Sequence, residues 1–416
     1  MPGGHHTGRL PSNILYVMLS SMARARPRPV LPWLAIAVVL ISPLWLATPA
    51  SAAGLRCGQA KPSPTISAVP WPQQRYDLSA LNGLSTGAGV SVAVVDSGVD
   101  PVAPQLAGAL AAGADFLAAG DGREDCAPHG TAVASIIAAR PVAGVGLRGL
   151  APAATIVPIR VSEHTESSSP TAGAGGVAEL TAGIRAATAH RPKPAVINLS
   201  ISTTSDNPGL RAAVAEALAA DIVVVAAAGN QHDHGDPTPY PAAYDGVVGV
   251  GAVGPDSVRI ASSQIGSYVD IVAPGTQVIG ALPTAGHAIF EGTSFAAPFV
   301  AATAALIRAR WPELHQADVV RRLLATADPA PGGRPSAEYG YGVLDPMRAL
   351  TEVLVPAGAV PSLSPLPSRV PVAGRAGAPV PVALGVAVAL VAAAGGIVAV
   401  AIAVPAGRRR RWRPGP

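Results

Sequence analysis

Ser91-Val-Ala-Val-Val-Asp-Ser-Gly-Val-Asp100 runs from an apolar stretch straight into a carboxylate. A run such as Val92-Ala-Val-Val95 has no polar face, so a strand made of it must be covered on both sides. The segments Val90–Val95, Thr155–Val161, Ala195–Leu199, Ile222–Ala228 and Val247–Val253 share this character and read as strands. Between and after them lie alanine-rich segments, Thr131–Ala139, Val177–Ala189, Gly209–Ala219 and Phe295–Arg310, which read as helices. Strands alternating with helices predict an α/β fold with a mostly parallel sheet covered on both faces. In such sheets functional groups gather beyond the carboxyl ends of the strands. The chain has no internal repeat.

Composition narrows the class. Of 416 residues, 49% are apolar, 13% charged and 4% aromatic. The charged share is about half the ~25% of an ordinary soluble domain, which excludes long charge-driven disorder. A core of about 250 residues buries ~75% of its unfolded surface and needs no metal or disulfide framework. Two cysteines are too few for a disulfide-dense scaffold or a four-cysteine zinc site. The net charge of +4 belongs to the tails. Setting aside Arg9, Arg24, Arg26 and Arg28, and the five arginines after Gly407, leaves 20 basic against 25 acidic groups. The body is therefore slightly acidic, and no nucleic-acid partner is expected.

Both ends address a lipid bilayer. Arg24, Arg26 and Arg28 precede the uncharged run Leu31 to Leu46, followed by Ala47-Thr-Pro-Ala-Ser-Ala-Ala53. A basic head, an apolar centre and an A-x-A pattern predict a signal peptide over residues 1–52. An uncleaved anchor is the alternative. Val382 to Val404 carries no charge and is followed by Arg408, Arg409, Arg410, Arg411 and Arg413. At 1.5 Å per residue it spans roughly 34 Å, enough for a ~30 Å hydrocarbon layer. Basic flanks stay cytoplasmic, so the tail is predicted inside and the body outside the cell membrane. The proline-rich stretch 355–381 predicts an extended tether. The expected plan is signal peptide 1–52, N-terminal extension 53–85, α/β body 86–354, linker 355–381, transmembrane helix 382–404 and basic tail 405–416. Outside the cytoplasm Cys57 and Cys126 can oxidise. They would form one intramolecular bridge, worth roughly 4 kcal/mol for a loop of about 70 residues, or remain free or intermolecular thiols.

Four polar residues stand at predicted strand ends or helix starts. Asp96 follows the first strand directly. His129-Gly-Thr-Ala-Val-Ala-Ser135 opens a helix, where the dipole disfavours imidazolium and suits a proton acceptor. Gly130 suggests a close backbone approach. Ile222-Val-Val-Val-Ala-Ala-Ala-Gly-Asn230 ends a strand in an amide that could reach an oxyanion. Gly292-Thr-Ser-Phe-Ala-Ala-Pro298 puts Ser294 just before an apolar helix, with Pro298 expected in the first turn, where amides lack intrahelical partners. Singly, these read as a structural histidine, a turn and an N-cap. Together and in this order, Asp, His, Asn and Ser make a hydrolase constellation.

These four blocks resemble those of the subtilisin-like serine proteases, over roughly residues 70–350. The resemblance implies a subtilisin-like three-layer sandwich and a serine endopeptidase acting on protein or peptide substrates. It implies Ser294 as nucleophile, His129 as general base and acid, Asp96 as its orienter, and Asn230 with the Ser294 amide as oxyanion hole. Ala195-Val-Ile-Asn-Leu-Ser200 matches a further block, so Asn198, Leu199 and Ser200, with Gly229, are expected at the substrate cleft. The overall plan, with Trp71-Pro-Gln-Gln74 before the first block, is similar to mycosins, the membrane-anchored subtilases of type VII secretion systems. That implies a type VII secretion membrane complex as partner, and an N-terminal extension that wraps the domain and is tied to it through Cys57 and Cys126. A structural clamp with secondary proteolysis, or a general cell-surface protease, are the alternatives. No cofactor or metal is expected: Asp121 and Asp125 lack an EF-hand pattern, and His232 and His234 read as a solvated loop. Residues 163–176 read as a surface insertion.

Overall fold

The computed structural model describes residues 63–163, 175–354, 380–409 and 415. The expected signal peptide, Cys57, most of the 163–176 insertion, the linker up to residue 379 and the arginines after Arg409 lie outside the described residues.

Seven strands form one sheet: β1 (Ser91–Asp96), β2 (Ala114–Asp115), β3 (Thr155–Arg160), β4 (Val196–Leu199), β5 (Val223–Ala227), β6 (Val248–Val253) and β7 (Ile271–Pro274). Their spatial order is β2-β3-β1-β4-β5-β6-β7, and every neighbouring pair is parallel. A separate antiparallel hairpin joins β8 (Val278–Ala281) to β9 (His287–Phe290). The helices are α1 (Trp71–Arg75), α2 (Leu78–Leu84), α3 (His129–Ala138), α4 (Val177–Ala189), α5 (Pro208–Ala219), α6 (Thr293–Arg310), α7 (Gln316–Ala325), α8 (Pro346–Thr351) and α9 (Val380–Arg409).

The absence of a polar face on β1 is explained by two separate cores. Val92 and Val94 pack into one with α3 and α6. Ala93 and Val95 pack into the other with α4 and α5. All four are fully buried, and each buried valine contributes about 1.5–3 kcal/mol. Alternate side chains of one strand thus feed opposite faces, as the pleat requires. The result is a three-layer α/β sandwich with a parallel central sheet. α6 is buried from Thr293 to Arg308, in keeping with its lack of a polar face.

The sequence-predicted strands and helices all occur, with ends shifted by a residue or two. The shifts matter at two helices. α3 begins at His129 and α6 at Thr293, so His129 and Ser294 sit inside first turns rather than ahead of them. Pro298 is then the sixth residue of α6, beyond the first turn, contrary to the sequence expectation. Elements not expected from the sequence are β2 and β7, the β8–β9 hairpin and the helices α1, α2, α7 and α8. All but the ten-residue α7 are too short for a period to emerge.

Residues 63–76 lie along the body. Ser63 N–H donates to the Ala285 carbonyl at 3.4 Å, and His287 N–H donates to that of Pro64 at 3.2 Å. Trp71 Nε1 donates to the Thr276 carbonyl at 2.9 Å. At the other end, α9 has 30 residues, about 45 Å of helix, with an exposed apolar surface from Val388 to Pro405. It is the one helix among the described residues long and apolar enough to cross a membrane.

Candidate active site

The register brings the site together. Val95 pairs with Leu199, and Leu199 with Ala226, so β1, β4 and β5 end side by side. Asp96, Ser200 and the turn at Gly229-Asn230 therefore emerge at one edge. α3 and α6 start at this edge and pack on the same face.

Asp96 is fully buried, and its Oδ1 accepts the amide of Ser97 at 2.7 Å. The same oxygen lies 2.7 Å from His129 Nδ1. A carboxylate only accepts, so Nδ1 carries the hydrogen and donates it. Nε2 is then left with the lone pair, as a proton acceptor requires. The imidazole lies against the ring of Phe295, centroids 5.0 Å apart, which sets it beside the first turn of α6. Phe290 stacks on Phe295 in turn at 4.6 Å.

The first turn of α3 is held by a carboxylate that the sequence reading considered only as a calcium ligand. Asp125 accepts from Ser97 Oγ at 2.8 Å, Thr131 N–H at 2.8 Å and Ala127 N–H at 3.2 Å. Ser97 Oγ also accepts the Gly130 amide at 2.9 Å. Burial pushes the Asp125 carboxyl up to about 6, against the opposing effect of these hydrogen bonds. Gly130 has its expected close approach: a Cβ there would stand 2.1 Å from the Gly98 carbonyl oxygen. Nearby, fully buried Arg160 joins Asp115 of β2 at 2.8 Å, Glu124 of the loop leading to α3 at 3.4 Å, and Glu163 just beyond β3. No described cysteine is free.

Ser294 is 2% exposed. It is not the N-cap of α6; Gly292 holds that position and has no side chain to cap with. Ser294 Oγ donates instead to the carbonyl of Ser200 at 3.0 Å. Asn230 Oδ1 accepts the amide of Thr293 at 2.8 Å, which fixes the plane of the Asn230 amide. Its Nδ2 stands 3.0 Å from where a Cβ on Gly292 would lie, one residue from Thr293. Thr293 Oγ1 accepts the Gly229 amide at 3.1 Å, so the two loops are braced reciprocally. The sequence reading did not foresee this brace, although Thr293 lies inside its Ser294 block.

Asn198 and Leu199 are fully buried, and Leu199 packs in the core with α4 and α5. The side chains of Asn198 and Leu199 are therefore withdrawn from any peptide, whereas the loop after β4 is largely exposed from Ser202 on. His232 bonds Asp236 at 3.0 Å. Among the described residues no group of three His, Cys, Asp or Glu side chains is placed to hold a metal ion.

The subtilase family (Peptidase_S8) matches residues 87–342. Subtilisin NAT from Bacillus subtilis subsp. natto is 35% identical over 263 residues, 62% of this chain and 66% of that protein. The chain thus spans about two thirds of the length of this relative. Mycosin-1 from Mycobacterium tuberculosis (strain ATCC 25618 / H37Rv) is 33% identical over 367 residues, 74% of this chain and 81% of that protein. Among solved structures, the MycP3 protease from the type VII (ESX-3) secretion system matches with a TM-score of 0.60. It is 32% identical and covers 71% of this chain and 90% of that one.

Proposed function

The chain belongs to the subtilase family, whose members are serine endopeptidases, and from that premise we propose that Ser294, His129 and Asp96 form its catalytic triad. What carries the reading is the 2.7 Å contact between Asp96 and His129 Nδ1 beside the first turn that holds Ser294. In the reaction the Ser294 hydroxyl turns from the Ser200 carbonyl toward His129. Nε2 takes its proton as Oγ attacks the scissile carbonyl carbon. The Asp96 carboxylate stabilises the imidazolium so formed. The tetrahedral oxyanion is met by Asn230 Nδ2 and the Ser294 amide. His129 then gives the proton to the leaving amine. Water, deprotonated by the same imidazole, hydrolyses the acyl-enzyme and regenerates Ser294.

The finer reading is a membrane-anchored enzyme that processes proteins of a type VII secretion system in association with its membrane complex. Its support is the similarity to mycosin-1 and to the MycP3 protease, together with α9. The arginines after Gly407 would keep the C-terminus cytoplasmic and the catalytic body outside. Cys57 would bridge to Cys126 and fasten the extension. The test is labelling of intact cells with a membrane-impermeant fluorophosphonate. Wild type is expected to label, and Ser294→Ala and His129→Ala are not. Labelling only after lysis would refute the outward orientation, and equal labelling of Ser294→Ala would refute the nucleophile.

A further inference from the structure

The carbonyl of Ser294 lies in the first turn of α6, and its helical partner would be the amide four residues on. That residue is Pro298, which has no N–H to give. Another element supplies the missing donor: Ser200 Oγ donates to the Ser294 carbonyl at 2.7 Å. Asn198 Nδ2 donates to Ser200 Oγ at 3.0 Å, so the single hydrogen of that hydroxyl is left for Ser294. In the opposite direction, Ser294 Oγ donates to the Ser200 carbonyl. Each serine hydroxyl thus bonds the other's backbone carbonyl, joining the end of β4 to the first turn of α6. Both serines are buried, at 3% and 2% exposure.

We propose that Ser200 is a positioning residue for the nucleophile, its hydroxyl standing in for the amide that Pro298 lacks and fixing the Ser294 backbone for attack. This rests on the reading of Ser294 as nucleophile. The sequence resemblance placed Ser200 at the substrate cleft, but its hydroxyl is buried, gives its hydrogen to Ser294 and already accepts from Asn198. A peptide is offered the backbone of this segment rather than that hydroxyl. The backbone of Ser294 carries both the attacking oxygen and an oxyanion donor, so a small displacement would misplace two catalytic groups at once.

A double-mutant cycle tests it on the full-length protein in detergent: wild type, Ser200→Ala, Pro298→Ala and the double variant. The probes are p-nitrophenyl acetate, too small to occupy an extended peptide cleft, and a fluorophosphonate. Ser200→Ala is expected to lower kcat on the ester and the labelling rate about tenfold, the weight of one hydrogen bond, with KM little changed. In the Pro298→Ala background residue 298 regains its amide, and Ser200→Ala should then cost no more than about twofold. An equal tenfold loss in both backgrounds would overturn the proposal. So would a loss confined to casein hydrolysis, with ester and fluorophosphonate rates intact. Should Ser200→Ala fail to fold, Ser200→Cys keeps the shape with a weak donor and should still lose several-fold; a wild-type rate would overturn the proposal. An inert wild type would instead refute the peptidase reading, which separates the two failures.

Discussion

His129 and His287 are both buried, at 9% and 4% exposure, yet they do opposite things with the same ring atom. His129 Nδ1 donates to Asp96. His287 Nδ1 accepts the backbone amide of Ile66 at 2.9 Å. The second arrangement leaves Nε2 carrying the hydrogen; Gln105 Nε2 stands 2.9 Å from it, so the Gln105 amide must turn over to offer its oxygen as acceptor, which also gives the otherwise unpartnered buried Oε1 a donor. One ring keeps a basic nitrogen beside the first turn of α6; the other straps the segment at Ile66 to β9. Burial holds His287 below the usual histidine pKa, in keeping with a ring kept neutral. Burial alone therefore does not fit a histidine to act as a base. The group facing Nδ1 decides, a carboxylate in one case and an amide in the other.

The comparison breaks most visibly in turnover. His129→Ala should lower kcat at least about 10⁴-fold, while His287→Ala leaves kcat within several-fold and destabilises by about 1–3 kcal/mol through the orphaned Ile66 amide. Comparable losses of kcat in the two variants, measured on one peptide substrate, would abolish the distinction. Next in size is Asn230→Ala, expected to cost about 10²–10³-fold in kcat with KM little changed.

Two titrations sharpen the contrast. Asp270, just before β7 at the amino edge of the sheet, accepts the Gly249 amide at 2.8 Å, and burial pushes its carboxyl up to about 6. Its folded value lies above its unfolded one, so the folded state binds the extra proton between about pH 4 and 6. Stability from this group is present at low pH and lost as pH rises through that window. Relative to Asp270→Asn, wild type should lose up to about 3 kcal/mol across it, read as Tm against pH, without a matching change in kcat. His287 has the opposite sign. Its folded value lies below the ordinary ~6.5, so its contribution is present above that pH and is lost as pH falls. Protection of the Ile66 amide from hydrogen exchange, taken relative to the intrinsic rate at each pH, should fall on acidification, and protection that tracks only global unfolding would remove His287 as the strap.

The strands of the central sheet were legible because a strand buried on both faces must be written in continuous apolar, β-branched residues, as in Val223–Ala227. The triad candidates were legible because each sits where a strand or helix changes character. β7 was not, since Ile271-Val-Ala-Pro274 is four residues long and ends in proline. His287 was not, because a lone histidine in a short hairpin strand carries no pattern, and its partner Ile66 is 221 residues away. Asp125 looked like a loop acid until its three donors were in place. Pro298 was the missed clue. A proline four residues after the serine announces an unpaired carbonyl, but only the fold shows that Ser200 answers it.

That last arrangement ties reactivity to docking. The bond holding the Ser294 carbonyl comes from across the molecule, so α6 could stay fully helical and still lose it. On warming, peptide cleavage should then fade before the far-ultraviolet dichroism does. Copies loosened enough to expose cleavable loops would already be unable to cut their neighbours, a built-in brake on self-digestion.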